Sequence, residues 1–285
     1  MEKAFSVIRG VVSAFFALLL TVGLLLCGEP YVASGEAELT RSLAFNALDG
    51  VSFMQGLACD GEVYYGFGAV KPPHYNAITK IDVETGEILQ RHDYCLPVEL
   101  MRMGYCHIGD GCLYGGQLYI ALEAFEYRRP AVIRYDADTL EYVGFTPLPE
   151  EGVGDGRIPW CEISDGVLYY SHSNNVNELL MLSADDMTFL GSLPLDRTLH
   201  KVQGGEVLDG KMIMTTDEGG NKMNVYAVEL ATGHTEVLFV RCTGRFASEG
   251  EGIAVCPTAD GAQLHILDVY SFGMRIGSFK LTDAE

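Results

Sequence analysis

Residues 55–68 read QGLACDGEVYYGFG: a polar anchor, a short apolar run, Asp-Gly, then a second apolar run rich in tyrosine. Asp-Gly supplies the positive φ angles that a two-residue hairpin turn requires, so the stretch predicts two antiparallel strands. The same block recurs as Asp110-GCLYGG-QLYIALE, Trp160-CEISDG-VLYYSHS, Gln203-GGEVLDG-KMIMTTD and Glu251-GIAVCPTADG-AQLHILDV. Its anchors, Gln55, Asp110, Trp160, Gln203 and Glu251, stand 55, 50, 43 and 48 residues apart. A third apolar run follows each block (NAITKIDV, AVIRYDA, ELLMLSA, NVYAVEL, MRIGSFKL), and the first four copies add a turn and a fourth run. The period is that of four-stranded propeller blades. The fifth copy lacks its fourth strand, and the apolar run at 42–48 (SLAFNAL) is spare. The expectation is therefore an all-β, five-bladed β-propeller of four-stranded antiparallel blades over 35–285, closed by the N-terminal strand. A two-sheet sandwich fits the even spacing of near-identical hairpins less well.

Residues 1–34 read differently. Lys3 and Arg9 precede an almost wholly apolar run, VVSAFFALLLTVGLLL at 11–26. This is the grammar of a signal peptide or signal anchor, which predicts one N-terminal hydrophobic helix, a membrane attachment through it, and export of the remainder. The small residues Val32-Ala33-Ser34 offer a cleavage site after Ser34.

Acidic residues outnumber basic ones 39 to 19, a net charge of −20. The first 34 residues carry two of each sign, so the excess belongs to the propeller. Such a surface repels polyphosphate and anionic lipid, which excludes nucleic acid as a partner. Oligomeric state is left open. Past Cys27 there are seven cysteines, an odd number without CxxC spacing and mostly within apolar runs. That pattern argues for buried free thiols rather than a disulfide framework or a zinc ribbon.

In a propeller the start of each inner strand opens on one face of the central channel. The five anchors should ring that mouth, and Ser52, His107, Arg157, His200 and Ser248 each stand three residues upstream of one. Three readings follow for the ring. A polar channel can simply hold water and satisfy free backbone groups. It can bind a small molecule or peptide, with His107, Arg157 and His200 recognising an anionic or amide group and Trp160 as a stacking floor. It can hold a metal ion on His107, His200, Asp110 and Glu251, as in a metal-dependent hydrolase, although no HExxH-type spacing supports this and no cofactor is expected. Propeller glycosidases need an acid where Gln55 stands, and there is no Gly-x-Ser-x-Gly elbow. The 71–74, 126–129, 172–174 and 217–222 stretches should form loops over the mouth, with Arg128-Arg129 a basic inversion on an acidic protein.

Phe53-Met54-Gln55-Gly56-Leu57, the hairpins KIDVETGEIL and IRYDADTLEYVG, and Glu251-Gly252-Ile253-Ala254 resemble the plant- and bacterial-type glutamine cyclotransferases, within the broader quinoprotein-like propellers. The resemblance implies a five-bladed propeller that closes an N-terminal glutamine on itself and releases ammonia, with a channel carboxylate shuttling the proton. Carried over by position, it makes Asp110 that carboxylate, with Glu251 the second channel acid, Trp160 the aromatic floor, and Gln55 and Gln203 amide partners. The sequence departs from the family pattern at three places. Asp110-Gly-Cys stands for Glu-Gly-Leu, Trp160-Cys-Glu for Trp-Gly-Leu, and Val202-Gln-Gly-Gly for an asparagine-rich motif.

Overall fold

The structure, a computed structural model, describes residues 2–70, 74–149, 156–218, 220–259 and 261–282. Its strands alternate with tight turns as the Asp-Gly blocks require. Asp165-Gly166 and Asp209-Gly210 each take positive φ at both positions (50° and 75°; 50° and 74°), the geometry of a type I′ hairpin.

The described residues form five antiparallel sheets arranged as a propeller. Two N-terminal strands, β1 (Tyr31–Gly35) and β2 (Ala37–Asn46), precede the first blade. That blade comprises β3 (Gly56–Cys59), β4 (Val63–Val70), β5 (Tyr75–Asp82) and β6 (Ile88–Asp93). The second holds β7 (Tyr105–Tyr114), β8 (Gln117–Ala124), β9 (Arg128–Asp136) and β10 (Tyr142–Pro147). In the third are β11 (Cys161–Ser164), β12 (Val167–Tyr170), β13 (Val176–Ser183) and β14 (Phe189–Leu199). The fourth runs through β15 (Val202–Leu208), β16 (Lys211–Thr216), β17 (Lys222–Glu229) and β18 (Thr235–Cys242). Three strands start the fifth: β19 (Ala247–Thr258), β20 (Gly261–Tyr270) and β21 (Gly273–Leu281).

The fifth blade is completed by β2, which pairs antiparallel with β21 from Ala37↔Leu281 to Asn46↔Gly273. The closing strand is thus longer at its start than the apolar run 42–48 indicated. It joins the two ends of the chain by backbone hydrogen bonds and leaves no open seam in the ring. Strand β1 adds a fifth strand to the outer edge of the fourth blade, against β18. The expected cleavage point after Ser34 therefore falls inside a paired strand.

Apolar residues of neighbouring blades interleave between the sheets. One cluster joins the first and second blades (Phe67, Ile78, Ile108, Ile120, Ile133), and another joins the fourth and fifth (Val225, Phe239, Ile253, Ile266, Phe279). Buried Arg241 and Asp268 pair across the latter junction.

The helix α1 (Glu2–Leu26) precedes β1. Its last turn is docked on the fifth blade: Leu24 and Cys27 are buried with Tyr270, and the Arg275 guanidinium donates to the Leu24 carbonyl at 3.1 Å. A cation there satisfies a C-terminal helix carbonyl and complements the helix dipole. The rest leaves Phe15, Phe16 and Leu18 more than half exposed. The expectation of a membrane-spanning helix is not met, since among the described residues no helix is long and apolar enough to cross a membrane.

The expectation of free thiols throughout is also corrected. Cys59, at the end of β3, forms a disulfide with Cys256 in β19, with Cα atoms 5.5 Å apart. The inner strands of the first and last blades lie side by side, so residues 197 apart in sequence meet at the ring's junction. Cys27, Cys95, Cys106, Cys112, Cys161 and Cys242 are free and buried.

Candidate functional site

A polar cavity of about 220 Å³ opens where the inner strands begin. It is lined by Gln55, Ala69, His107, Tyr127, Arg157, Gln203, Glu249 and Glu251, so all five blades contribute. Five of the residues expected at the mouth therefore converge: Gln55, His107, Arg157, Gln203 and Glu251. Tyr127, from the 126–129 loop expected over the mouth, completes it with Ala69 and Glu249. Glu249 was not singled out, although it was legible as the acid two residues before the Glu251 anchor.

The mouth side chains are held from behind. His107 Nδ1 lies 3.5 Å from Glu123 Oε2, and Glu123 Oε1 accepts the Ile158 N–H at 2.6 Å. Glu123 thereby links the imidazole of the second blade to the segment that carries Arg157. The Arg157 guanidinium sits over the Tyr127 ring, 4.5 Å from its centroid, and His107 meets the same ring edge-on at 5.4 Å. Such a cation–π contact orients the guanidinium without neutralising it.

Glu251 is 4% exposed. Burial pushes its carboxyl well above the usual range, and a hydrogen bond and charge from Glu249, then the charges of Asp217 and Asp110, push the same way. Burial and a second carboxylate at close range both favour the protonated form of such an acid.

Three expected site residues are placed elsewhere. Trp160 is fully buried between the third and fourth blades, its Nε1 donating to Ser171 Oγ at 3.0 Å and its ring against Gly205. It does not floor the mouth, because its side chain leaves the strand on the inter-blade face, where Val202, Met212 and Met214 enclose it. His200 is exposed and outside the cavity lining, just before Lys201, whose φ of 50° turns the chain into β15. With His200 turned away, the metal set of His107, His200, Asp110 and Glu251 does not assemble. Among the described residues, no group of three or more His, Cys, Asp or Glu is placed to hold a metal.

Asp110 lies in the channel beneath the mouth, 1% exposed. The inner strand β7 is bulged between Ile108 and Gly111, as β19 is between Gly250 and Ile253, and Asp110 stands level with Gly56, Gly204 and Gly252, one residue beyond the mouth-lining anchors. Its Oδ1 accepts the Leu57 N–H at 2.8 Å and its Oδ2 the Ile253 N–H at 3.3 Å, while its own N–H donates to the Pro159 carbonyl at 2.8 Å. The residue thus ties the first, second and fifth blades to the start of the third. The channel is so narrow here that a Cβ on Gly252 would stand 2.5 Å from Asp110 Oδ1, and one on Gly56 2.6 Å from the same oxygen. Burial pushes the Asp110 carboxyl up, against the backbone donors that lower it.

Further along the inner strands lies a second acidic pair that the ring of anchors did not reveal. Burial raises Glu162 to about 7, against hydrogen bonds with Cys112, the Val207 N–H and Glu206 that lower it. Burial raises Glu206 well above its usual range, with the charges of Glu162 and Asp110 adding to it. The signal was an acid inside an otherwise apolar inner strand (CEIS, GGEVL). Ser52 is buried and accepts from Thr79 Oγ1 at 2.9 Å, away from the mouth. Of the loops expected over the mouth, residues 71–73 and 219 lie outside the described residues, as do 150–155.

No protein-family model matches the chain, and no curated protein sequence matches it. Among solved structures it is similar to a Myxococcus xanthus glutaminyl cyclase, with a TM-score of 0.61, 14% identity, and 87% of this chain and 97% of that one covered. A Kuenenia stuttgartiensis hydrazine synthase is also similar, with a TM-score of 0.44, 13% identity, and 78% and 57% covered. The first likeness is one of fold: this chain has the five-bladed architecture of a glutaminyl cyclase.

Proposed function

We propose that the mouth closes an N-terminal glutamine of a peptide onto its own side-chain amide, releasing ammonia. The observation that carries this reading is the buried Glu251, its carboxyl raised by burial and by its hydrogen bond with Glu249, on one wall of a polar cavity that both acids line. The neutral α-amine attacks the γ-amide carbon, a C–N bond forms, and the bond to the amide nitrogen breaks. The amine must lose a proton and the leaving nitrogen must gain one. Glu249 takes the first and Glu251 supplies the second, and the proton then passes back along their shared hydrogen bond. Gln55 and Gln203 offer amide donors and acceptors that match the substrate's own. Asp110, with both oxygens on backbone N–H groups, serves the ring rather than the chemistry.

The fold shared with a glutaminyl cyclase supports the reading, and so does the family resemblance of the first and last blades. Ammonia release from a glutaminyl peptide, followed with coupled glutamate dehydrogenase, tests it. Turnover lost in Glu251→Gln is the expected result. No ammonia from the parent protein leaves a binding propeller in its place.

Export belongs to the same proposal. A disulfide persists in an oxidising compartment, so Cys59–Cys256 supports an extracytoplasmic location, and the exposed apolar side chains of α1 support attachment to a membrane. Cell fractionation with thiol labelling before and after reduction checks both.

A further inference from the structure

We propose that an apolar shelf beside the mouth binds the side chain of the residue following the N-terminal glutamine, selecting peptides with an aromatic or large aliphatic residue there. The inference rests on the glutaminyl-peptide reading and names its substrate class. The shelf is a separate cavity of about 190 Å³, lined by His74, Met101, Gly104, Tyr105, Cys106 and Phe125. That volume is below the ~300 Å³ at which pockets begin to enclose a whole small molecule, and suits a single side chain.

Two chain segments join the shelf to the mouth. On β7, Tyr105 and Cys106 line the shelf and His107, the next residue, lines the mouth, the change falling at the bulge between Tyr105 and His107. In the turn Phe125–Tyr127, Phe125 lines the shelf and Tyr127 the mouth. Glu126 and Tyr127 hold φ of 60° and 57° there, a conformation uncommon for non-glycine residues, and it delivers the two rings to different cavities.

The shelf is built and left open. Leu100 is buried and anchors the short helix α2 (Val98–Arg102), whose Met101 is 39% exposed. Arg129 donates to the Met103 carbonyl at 2.5 Å and lies over the Tyr105 ring, so the basic inversion in the loop is spent bracing the floor. Phe125 is 65% exposed and stands with Met101 over a floor of buried Tyr105 and Cys106, so the two exposed apolar side chains flank an apolar recess next to a polar site. A peptide whose amino-terminal residue occupies the polar mouth can lay its second residue along this edge, where both segments connect the two cavities. Free glutamine would leave the shelf empty.

The test compares Gln-Phe-Gly-amide with Gln-Gly-Gly-amide for kcat/KM. In parallel, calorimetry measures Kd for Asn-Phe-Gly-amide and Asn-Gly-Gly-amide, whose shorter side chain would have to form a four-membered ring and so does not cyclise. Burial of a phenyl ring predicts a preference of about tenfold or more for the Phe peptide in both measurements. In Phe125→Ser and Met101→Ser, exposed positions where folding is checked by thermal melting, the ratio should fall toward one. Equal Kd for the two Asn peptides, or a ratio unchanged in both variants, overturns the shelf. A calorimetric ratio that collapses in the variants, with no ammonia from either Gln peptide, removes the reaction and keeps the shelf.

Discussion

Asp110 Oδ1, on the second blade, accepts the backbone N–H of Leu57 on the first at 2.8 Å. The other oxygen takes the Ile253 N–H of the fifth blade, so one side chain satisfies donors from two inner strands that have no ladder partner on the channel side. Replacing it by alanine leaves both donors buried and unpaired. Asp110→Ala should lose roughly 2–5 kcal/mol of stability in denaturant titration, since each orphaned group costs about 1–3 kcal/mol. Asp110→Asn, which keeps one acceptor, should lose less. An alanine variant as stable as the parent would show that the channel does not depend on this bridge.

The close approach at Gly252 makes a complementary prediction. Its added methyl would stand 2.5 Å from Asp110 Oδ1 and 2.6 Å from the Gly56 Cα. Gly252→Ala must push the inner strands apart and should cost about 1–3 kcal/mol, with crowding as the cause. A crystal structure of the variant should show the first and fifth blades displaced.

Glu251→Gln should reduce ammonia release by about 10²–10⁴-fold, the usual contribution of a positioned acid or base. The variant should be at least as stable as the parent, because a buried carboxyl beside Glu249 and Asp110 is replaced by a neutral amide. A large loss of stability with intact turnover would assign the residue to the scaffold instead.

Glu162 predicts a pH dependence of stability. Its folded-state value of about 7 lies above the ordinary 4.5, so the native state binds the proton more tightly. The stabilisation is complete below pH 4.5 and is lost as pH rises through 7, on the order of 3 kcal/mol for this group alone. His265 opposes it: burial lowers the imidazole from 6.5 to about 4, so its contribution is present above pH 6.5 and lost as pH falls toward 4. Glu162→Gln should therefore flatten the alkaline decline and raise the melting temperature at pH 8. The same decline in the variant would exclude Glu162 as its source.

Reduction of Cys59–Cys256 should lower the melting temperature, because the bond closes a loop spanning 197 residues. The chain-entropy estimate for a loop of that size is about 5 kcal/mol, an upper figure for a ring that β2 already closes by hydrogen bonding. Scans with and without reductant, repeated on Cys256→Ser, separate the bond from effects on the six free thiols.

Local patterns carry their own instructions, so hairpins at Asp165-Gly166 and Asp209-Gly210, the blade period and the spare strand at the N-terminus were readable residue by residue. The mouth was readable in part for the same reason. Gln55, Gln203 and Glu251 share one register in three blades, and His107 and Arg157 stand just upstream of theirs. The register failed at the other anchors. Asp110 stands one residue further along its strand, level with Gly56, Gly204 and Gly252, inter-blade packing draws Trp160 into an apolar layer, and the turn at Lys201 leaves His200 in solvent.

The sequence by itself determined the five repeated blades, the N-terminal strand that closes them and most of the polar ring, because each depends on short-range turn chemistry repeated at a fixed period. Tertiary structure alone decided which residues meet across the ring: Cys59 with Cys256, Glu162 with Glu206, Asp110 with the Leu57 and Ile253 backbone, and the last turn of α1 with Arg275. Those pairs are brought together by closure of the propeller, which places far-separated inner strands side by side, and no local pattern encodes that distance.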